Sequence, residues 1–219
     1  MKNAIIFDLD GTLWDSSRQV TESWNVVLGR YPETENSQIT TADMHRFMGR
    51  QMNEIARMMM PDVEEALRNK IMLECMDYEL EYLLGHKGVL YPGVYETLGE
   101  LSEKFMLIIV SNCQDGYIQL FLKQTGTGRL FGDFESFGKT GLSKGENIKL
   151  VIKRNSVDRA VYVGDTQGDL DSADAAGVEF IHAAYGFGKT NRETARITEF
   201  SELTKILVDN YGVCFADIL

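Results

Sequence analysis

Two aspartates follow the end of an apolar segment near the amino terminus. The segment 4–7 (Ala-Ile-Ile-Phe) runs into Asp8-Leu9-Asp10-Gly11-Thr12. Strand side chains alternate between faces, but a turn at Gly11 allows Asp8 and Asp10 to cluster at the carboxyl end of the strand, where open α/β sheets bind ligands. Adjacent carboxylates repel each other, and a hard divalent cation relieves that repulsion. Because an aspartate beside such a cation can act as a nucleophile, the segment predicts a metal site with acyl-phosphate chemistry.

A second acidic pair follows another apolar segment. Residues 160–163 end at Gly164-Asp165, and Asp169 comes one helical turn later. Aspartate also caps helices well, so a purely structural role for this pair is an alternative. Four carboxylates in one crevice would be costly without a cation, and oxygen-only ligands suit Mg²⁺. The two pairs together therefore predict a magnesium site that includes Asp8, Asp10, Asp165 and Asp169.

Three further side chains are candidates for binding phosphoryl oxygens. Ser111 and Asn112 end the apolar segment 105–110, where a hydroxyl and exposed backbone N–H groups can hold an anion or simply cap a helix. Lys144 precedes a predicted helix, and a lysine there is unfavourable against the helix dipole. This position favours a ligand role for Lys144, although a solvated lysine is the common alternative. Three nearby lysines are rival candidates for the same role, namely Lys139, Lys149 and Lys153.

The elements that must position these residues alternate between strand and helix. Near-continuous apolar strands indicate burial on both faces and hence a parallel sheet. We therefore expect an α/β fold built on a doubly wound parallel sheet. The predicted strands after the first are 105–110, 134–137, 160–163 and 178–181, and the predicted helices between them are 94–104, 117–125, 146–155 and 170–176.

Residues 15–89 interrupt this alternation and contain no convincing strand. Eight of the ten methionines fall between positions 44 and 76, and apolar residues recur at helical spacing. Methionine fills irregular gaps, so the segment predicts the core of a small all-helical domain or a mobile lid. We expect residues 1–14 and 90–219 to form the sheet domain, with residues 15–89 inserted as a helical cap after the first strand.

The end of the chain, residues 201–219, is predicted to be a helix followed by an apolar tail. Five apolar residues there are expected to pack on the core, with an interface as the alternative. They are Tyr211, Val213, Phe215, Ile218 and Leu219.

Composition excludes several classes of protein. The net charge of -11 argues against binding to nucleic acid, which needs clustered Lys and Arg. The three cysteines are scattered and form no CxxC pair, so neither a zinc site nor a disulfide framework is predicted. No apolar run is long enough to span a membrane, and no signal-peptide pattern is present. We expect a cytoplasmic protein of undetermined oligomeric state.

In their order along the chain, these motifs resemble those of the haloacid dehalogenase-like hydrolases, in the phosphoglycolate phosphatase-like branch with a helical cap. Asp8-Leu9-Asp10-Gly11-Thr12 is similar to the first motif and Ser111-Asn112 to the second. Lys144 matches the third motif, although the usual Lys-Pro is Lys-Gly here. Gly164-Asp165 with Asp169 resembles the fourth. The resemblance extends over nearly the whole chain and implies a Rossmann-like core.

The resemblance also implies roles for the acidic residues. Asp8 would be the nucleophile that forms an aspartyl phosphate, and Asp10 the general acid and base. Magnesium would be held by the Asp8 side chain, the Asp10 backbone carbonyl and Asp165. Asp169 would assist this site or orient Lys144.

The resemblance assigns the transferring phosphoryl oxygens to a further set of residues, namely Thr12, Ser111, Asn112 and Lys144. In the cap, Arg50 follows Gly49 in a segment that reaches the site in relatives. A guanidinium pairs well with a carboxylate or second phosphate, so Arg50 is a hypothetical contact for the non-reacting end of the substrate. A surface arginine is the alternative.

The implied activity is hydrolysis of a small phosphorylated metabolite, with phosphoglycolate, a sugar phosphate and a nucleoside monophosphate all open. A β-phosphoglucomutase-like phosphotransferase is the first alternative, but such mutases usually carry a histidine where this chain has Arg18-Gln19-Val20. A phospho-accepting signalling module without turnover is the second. Its accepting aspartate lies on a later strand, and it lacks a helical insertion.

Overall fold

The structure is a computed structural model that describes residues 2–192 and 194–211. Within these ranges the strands are β1 (Asn3–Phe7), β2 (Trp14–Asp15), β3 (Val89–Leu90), β4 (Met106–Ser111), β5 (Phe131–Ser136), β6 (Arg159–Gly164), β7 (Glu179–Ala183) and β8 (Ala195–Ile197). The helices are α1 (Ser17–Leu28), α2 (Thr41–Phe47), α3 (Met52–Met59), α4 (Glu65–Gly85), α5 (Val94–Ser102), α6 (Tyr117–Thr125), α7 (Phe137–Thr140), α8 (Lys144–Arg154), α9 (Gln167–Ala176) and α10 (Glu202–Tyr211).

The main sheet has six parallel strands in the order β5-β4-β1-β6-β7-β8. The chain builds outward from β1 through β4 to β5, and then crosses back to place β6, β7 and β8 on the other side. The strand order therefore reverses at β1, and the ligand crevice of such sheets opens at this reversal. The predicted doubly wound α/β fold is confirmed.

Burial of β1 on both faces explains its uninterrupted apolar sequence. Ile5, Ile6 and Phe7 are fully buried, with Ile5 and Phe7 in one hydrophobic cluster and Ile6 in the other. Helices cover both faces of the sheet, as a parallel sheet requires. The polar residues that follow β1 are therefore held at the edge of a rigid layer.

The inserted segment, called the cap below, contains α1 to α4, and several of its methionines are buried in the same hydrophobic cluster as one face of the sheet. Met44, Met59, Met60 and Met72 are buried, whereas Met58 is exposed. The longest described helix is α4, with 21 residues. None of the helices in the described part of the chain has the length and apolar character needed to cross a membrane.

The expectation that residues 15–89 contain no strand is wrong at both ends. β2 pairs with β3 antiparallel, with Trp14 opposite Leu90 and Asp15 opposite Val89. This two-stranded ribbon joins the cap to the sheet domain. Two-residue strands carry too little pattern to be recognised in a sequence, because strand periodicity needs several residues to appear.

Several other details differ from the sequence-based expectations, and the main ones concern β8, α7 and α8. The three-residue strand β8 was not predicted, Phe137 begins α7 instead of ending a strand, and α8 begins at Lys144 instead of position 146. Ser143 and Glu146 form a capping box that starts α8 two residues early. The predicted packing of the apolar tail lies outside the residues whose side chains are described.

The two-stranded ribbon leads to a stability prediction at Gly88, the residue before β3. A Cβ there would lie 2.6 Å from the ring of Trp14, which is fully buried and packs edge-on against Tyr117 and Phe121. Because that ring has no room to move, we expect Gly88→Ala to lower the free energy of unfolding by about 1–3 kcal/mol in urea titration.

The matched control is Gly85→Ala, since nothing lies within 4 Å of a Cβ at Gly85. We expect this variant to change the free energy of unfolding by less than about 0.5 kcal/mol. Equal effects of the two substitutions would contradict the contact between Gly88 and Trp14.

Candidate active site

Asp8 is the first residue after β1, and its backbone N–H donates to the carbonyl of Val163 at 2.9 Å. The chain then turns at Gly11, whose φ of +84° lies in the left-handed region. A Cβ at Gly11 would lie 2.3 Å from Oδ2 of Asp165. Glycine at this position therefore allows the loop after β1 to approach the loop after β6.

Three buried aspartates meet at this edge of the sheet. Asp8, Asp165 and Asp169 each present a carboxylate oxygen within 4.8 Å of the others. Lys144 makes two ion pairs within this group, because its Nζ donates to Oδ1 of Asp8 at 2.9 Å and to Oδ1 of Asp169 at 2.6 Å. The cluster therefore holds three carboxyl groups and one ammonium.

The charge of this cluster is reflected in its pKa values. Burial and the nearby Asp169 raise the pKa of Asp8 to about 7, although Lys144 opposes the shift. Burial and the neighbouring carboxylates of Asp169 and Asp8 raise the pKa of Asp165 well above its ordinary value. A divalent cation would favour the ionised forms of both groups. The donor set, all oxygen and excessively negative, fits a hard cation such as Mg²⁺.

Asp169 occupies both of its oxygens with protein partners. Oδ2 accepts from the N–H and hydroxyl of Thr166, at 2.9 and 2.7 Å, in the capping box that begins α9. Oδ1 accepts from Lys144. Burial opposes ionisation of Asp169, but Lys144 and the hydrogen bonds from Thr166 together outweigh burial and lower the pKa of Asp169. Asp169 thus holds the lysine that faces Asp8.

Asp10 lies in the same buried region but faces different partners. Its Oδ1 accepts from the hydroxyls of Ser16 and Tyr117, both at 2.8 Å, and those hydroxyls lie 2.6 Å apart. Burial raises the pKa of Asp10 to about 6, against these two hydrogen bonds. The carboxyl group is therefore oriented and can change protonation state near neutral pH.

The predicted phosphoryl-binding residues are all near the cluster. Thr12 is fully buried, and its hydroxyl lies 3.5 Å from Oδ1 of Asp165. Ser111 ends β4 and borders the same cavity as Asp8. The side-chain amide of Asn112 donates to the carbonyl of Gly49 in the cap, at 2.8 Å, so this side chain joins the two domains.

Arg50 lies at the rim, with its guanidinium turned toward other protein groups. It pairs with Glu54 and donates to the carbonyl of Arg46, and its side chain is 45% exposed. The cap also contacts the loop after β7 near the aspartates. The His45 ring stacks on Phe187 with 4.5 Å between centroids, and the Phe187 N–H donates to Oδ2 of Asp165 at 2.7 Å.

Sequence reasoning did not identify Ser16, Tyr117 or Glu79. Glu79 lies on α4, is 2% exposed and borders the cavity that contains Asp8 and Asp10. Glu79 belongs to a series of buried positions four residues apart on α4, in which the other three residues are apolar. The series is Ile71, Cys75, Glu79 and Leu83. A lone acid on an apolar helix stripe was a signal that could have been used. Ser16 and Tyr117 had no comparable signal, since their pairing with Asp10 is purely tertiary.

Comparison with known proteins places this geometry in context. The family model described as haloacid dehalogenase-like hydrolase matches residues 5–183. The matched residues include most of β1, helices α1 to α4 and every aspartate of the cluster. Phe187, which contacts Asp165 and His45, lies beyond the match.

Individual relatives match nearly the whole length of the chain. The chain is 28% identical to a phosphoglycolate phosphatase of Aquifex aeolicus, over 96% of this chain and 99% of that protein. It is 27% identical to one of Mesorhizobium japonicum, over 94% of both. A crystal structure of a predicted phosphoglycolate phosphatase from Haemophilus somnus has a TM-score of 0.78 at 22% identity, covering 94% of this chain and 97% of that chain.

The burial of Glu79 predicts a pH dependence of stability. Burial raises its pKa from 4.5 to about 8, so the folded protein retains a proton that the unfolded chain releases. The stability that this proton confers is complete below pH 4.5 and is lost as the pH rises through 8. In Glu79→Gln this loss is absent.

We therefore expect the free energy of unfolding of Glu79→Gln, relative to wild type, to increase by at most about 4 kcal/mol between pH 5 and 8.5. Urea titration of both proteins at the two pH values measures the difference, and Asp8 and Asp10 titrate in both. A difference that is the same at pH 5 and pH 8.5 would show that Glu79 ionises normally.

Proposed function

Because the chain belongs to the family of haloacid dehalogenase-like hydrolases, we propose that it is a magnesium-dependent phosphatase that hydrolyses a small phosphate monoester. One observation carries the proposal. Asp8, Asp165 and Asp169 converge with Lys144 at the reversal point of the sheet, beneath a cap. The phosphatase relatives match over nearly their full length and support the same reaction.

In the proposed reaction, a carboxylate oxygen of Asp8 attacks the phosphorus atom of the ester. The bond from phosphorus to the leaving oxygen breaks as the bond to Asp8 forms, which gives an aspartyl phosphate. Asp10 donates its proton to the departing alkoxide. Asp10 then accepts a proton from water, which attacks the phosphorus, releases inorganic phosphate and regenerates Asp8.

The environment of Asp10 supports its two roles. A pKa raised to about 6 makes both protonation states accessible near neutral pH. The hydrogen bonds from Ser16 and Tyr117 hold the carboxyl in one orientation. Ser16 and Tyr117 are thus proposed as positioning residues for the acid and base.

Magnesium would be held by the carboxylates of Asp8 and Asp165, by the Asp10 backbone carbonyl as the resemblance implies, and with support from Asp169. When bound, it neutralises charge on the transferring phosphoryl group. Lys144 contributes a second positive charge beside Asp8. Phosphoryl transfer depends mainly on such positioning and charge neutralisation.

Thr12, Ser111 and Asn112 are proposed to hold phosphoryl oxygens through hydroxyl and backbone groups. Ser111 and Asn112 border the cavity beside Asp8, which supports this assignment. The cap restricts the substrate to a small molecule, and closure of the cap over the site excludes bulk water. A cytoplasmic location is part of the proposal and is supported by the scattered positions of the cysteines, of which Cys75 and Cys113 are free in the described part of the chain.

The nucleophile is tested by Asp8→Asn with p-nitrophenyl phosphate in the presence of Mg²⁺. We expect the variant to lose at least about a thousandfold in kcat, because an amide is a far weaker nucleophile than a carboxylate. Chelation of Mg²⁺ should abolish wild-type turnover to the same degree. Exposed Asp62 supplies the matched control, Asp62→Asn, with wild-type kinetics.

Activity retained in Asp8→Asn, or unaffected by a chelator, would refute the mechanism. Continuous release of inorganic phosphate also separates a phosphatase from the alternatives. A mutase would transfer the phosphoryl group to an organic acceptor, and a signalling module would stop after one phosphorylation per chain.

A further inference from the structure

Phe187 lies between the acidic cluster and the cap. Its backbone N–H donates to Oδ2 of Asp165 at 2.7 Å. Its ring stacks on the ring of His45 in α2, with 4.5 Å between the centroids and 18° between the planes. A residue that the sequence analysis did not single out therefore contacts both a proposed cation ligand and the cap.

The loop that carries Phe187 lies directly against Asp165. A Cβ at Gly186 would lie 2.4 Å from Cβ of Asp165, and a Cβ at Gly188 would lie 2.8 Å from the Asp165 carbonyl oxygen. Both distances are shorter than an ordinary van der Waals contact, so the loop tolerates no side chain at either glycine. Phe187 is thus the residue of this three-residue segment whose side chain can anchor the loop.

Contacts from both domains hold the Phe187 ring. A Cβ at Gly11 would lie 2.8 Å from Cδ2 of Phe187, so the ring packs against the loop after β1 in the sheet domain. In the cap, Nε2 of His45 lies 2.9 Å from the hydroxyl of Ser17 in α1, and this hydrogen bond orients the His45 ring. The position of the Phe187 ring therefore depends on the position of the cap.

The N–H of Phe187 affects Asp165 in two ways. A hydrogen bond to a carboxylate stabilises its ionised form, which is the form that binds a cation. The same bond fixes the carboxylate, so less conformational freedom is lost when a cation binds. Displacement of this N–H would therefore weaken cation binding.

We propose that Phe187 is a positioning residue that couples the cap to cation binding. The stack with His45 holds the Phe187 N–H on Asp165, so the docked cap strengthens the binding of Mg²⁺ although neither ring is a ligand. Coupling of this kind is reciprocal, so Mg²⁺ must also stabilise the contact between the cap and the sheet domain. This inference rests on the metal site of the proposed function.

A role in packing alone makes a different prediction. If Phe187 and His45 only filled space, their substitution would lower Tm and leave the dissociation constant for Mg²⁺ unchanged. That dissociation constant is therefore the decisive readout. Both residues are partly exposed, so we expect truncation of either side chain to leave the fold intact.

Isothermal titration calorimetry of phosphate-free protein with MgCl₂ measures the dissociation constant. We expect His45→Ala to bind Mg²⁺ about two- to tenfold more weakly than the wild type, which is the range that an aromatic pair can supply. Phe187→Ala should bind at least as weakly as His45→Ala. The double variant should match Phe187→Ala, because both substitutions remove the same contact.

Two further variants serve as controls. His45→Phe keeps an aromatic ring on Phe187 without the hydrogen bond to Ser17, so it should bind Mg²⁺ more tightly than His45→Ala does. His86→Ala removes a comparable stack within the cap, where the His86 and Tyr82 ring centroids lie 3.9 Å apart. This variant should leave the dissociation constant for Mg²⁺ unchanged.

Hydrogen exchange tests the reciprocal effect on the cap. In the wild type, MgCl₂ should slow the exchange of the α2 backbone amides relative to NaCl of equal ionic strength, because a stabilised contact opens less often. In His45→Ala, the two salts should give the same α2 exchange rates. A role in packing alone predicts no difference between the two salts in either protein.

Failure of this inference can be told apart from failure of the proposed function. Equal dissociation constants for the wild type, His45→Ala and Phe187→Ala would overturn the coupling while the metal site stands. So would α2 exchange that Mg²⁺ does not alter in the wild type, or a His45→Phe variant that binds as weakly as His45→Ala. If the wild type binds no Mg²⁺ and releases no phosphate from p-nitrophenyl phosphate with Mg²⁺, both the coupling and the proposed function are wrong.

Discussion

Excess negative charge, buried at one edge of a rigid sheet, is the constraint on which this structure depends. Asp8 and Asp165 follow neighbouring strands whose buried side chains are mostly apolar, so their positions follow from the register of β1 and β6. Lys144 offsets part of the charge, and Asp169 holds that lysine while capping α9. The remaining imbalance creates the affinity for a cation.

The cap controls which molecules reach the buried aspartates. Its methionine- and tryptophan-containing interior faces the aspartates across a narrow cavity, and Asn112 and His45 make contacts that cross from one domain to the other. Phe187 stacks on His45 of the cap and donates its N–H to Asp165. Cap position and the geometry of the acidic cluster are thus linked through one residue. Closure in such a site strengthens electrostatic interactions because it excludes water.

Much of the sheet could be predicted because buried parallel strands have uninterrupted apolar sequences. The polar residues of the site come at or directly after the ends of β1, β4 and β6, so they could be located from the same pattern. The structure also brings Asp8, Asp165, Asp169 and Lys144 together, as the order of the motifs had indicated. The short strands β2 and β3 were not predicted, because a strand of two residues shows no alternation of apolar and polar side chains. Tyr117 was not predicted because its hydroxyl meets Asp10 only after α6 packs against α4 and Trp14. Arg50 was predicted from its neighbourhood in the chain, whereas its orientation depends on Glu54, which a motif does not include.

The central claim is that the acidic cluster requires a divalent cation. Scanning calorimetry of phosphate-free protein with increasing MgCl₂, against NaCl of equal ionic strength, measures it without relying on turnover. The account predicts that Mg²⁺ raises Tm progressively in the wild type, since a ligand of the folded state stabilises by mass action, and that Asp165→Asn removes the rise. A wild-type Tm that responds equally to both salts, or an Asp165→Asn protein that responds to Mg²⁺ as the wild type does, would contradict it.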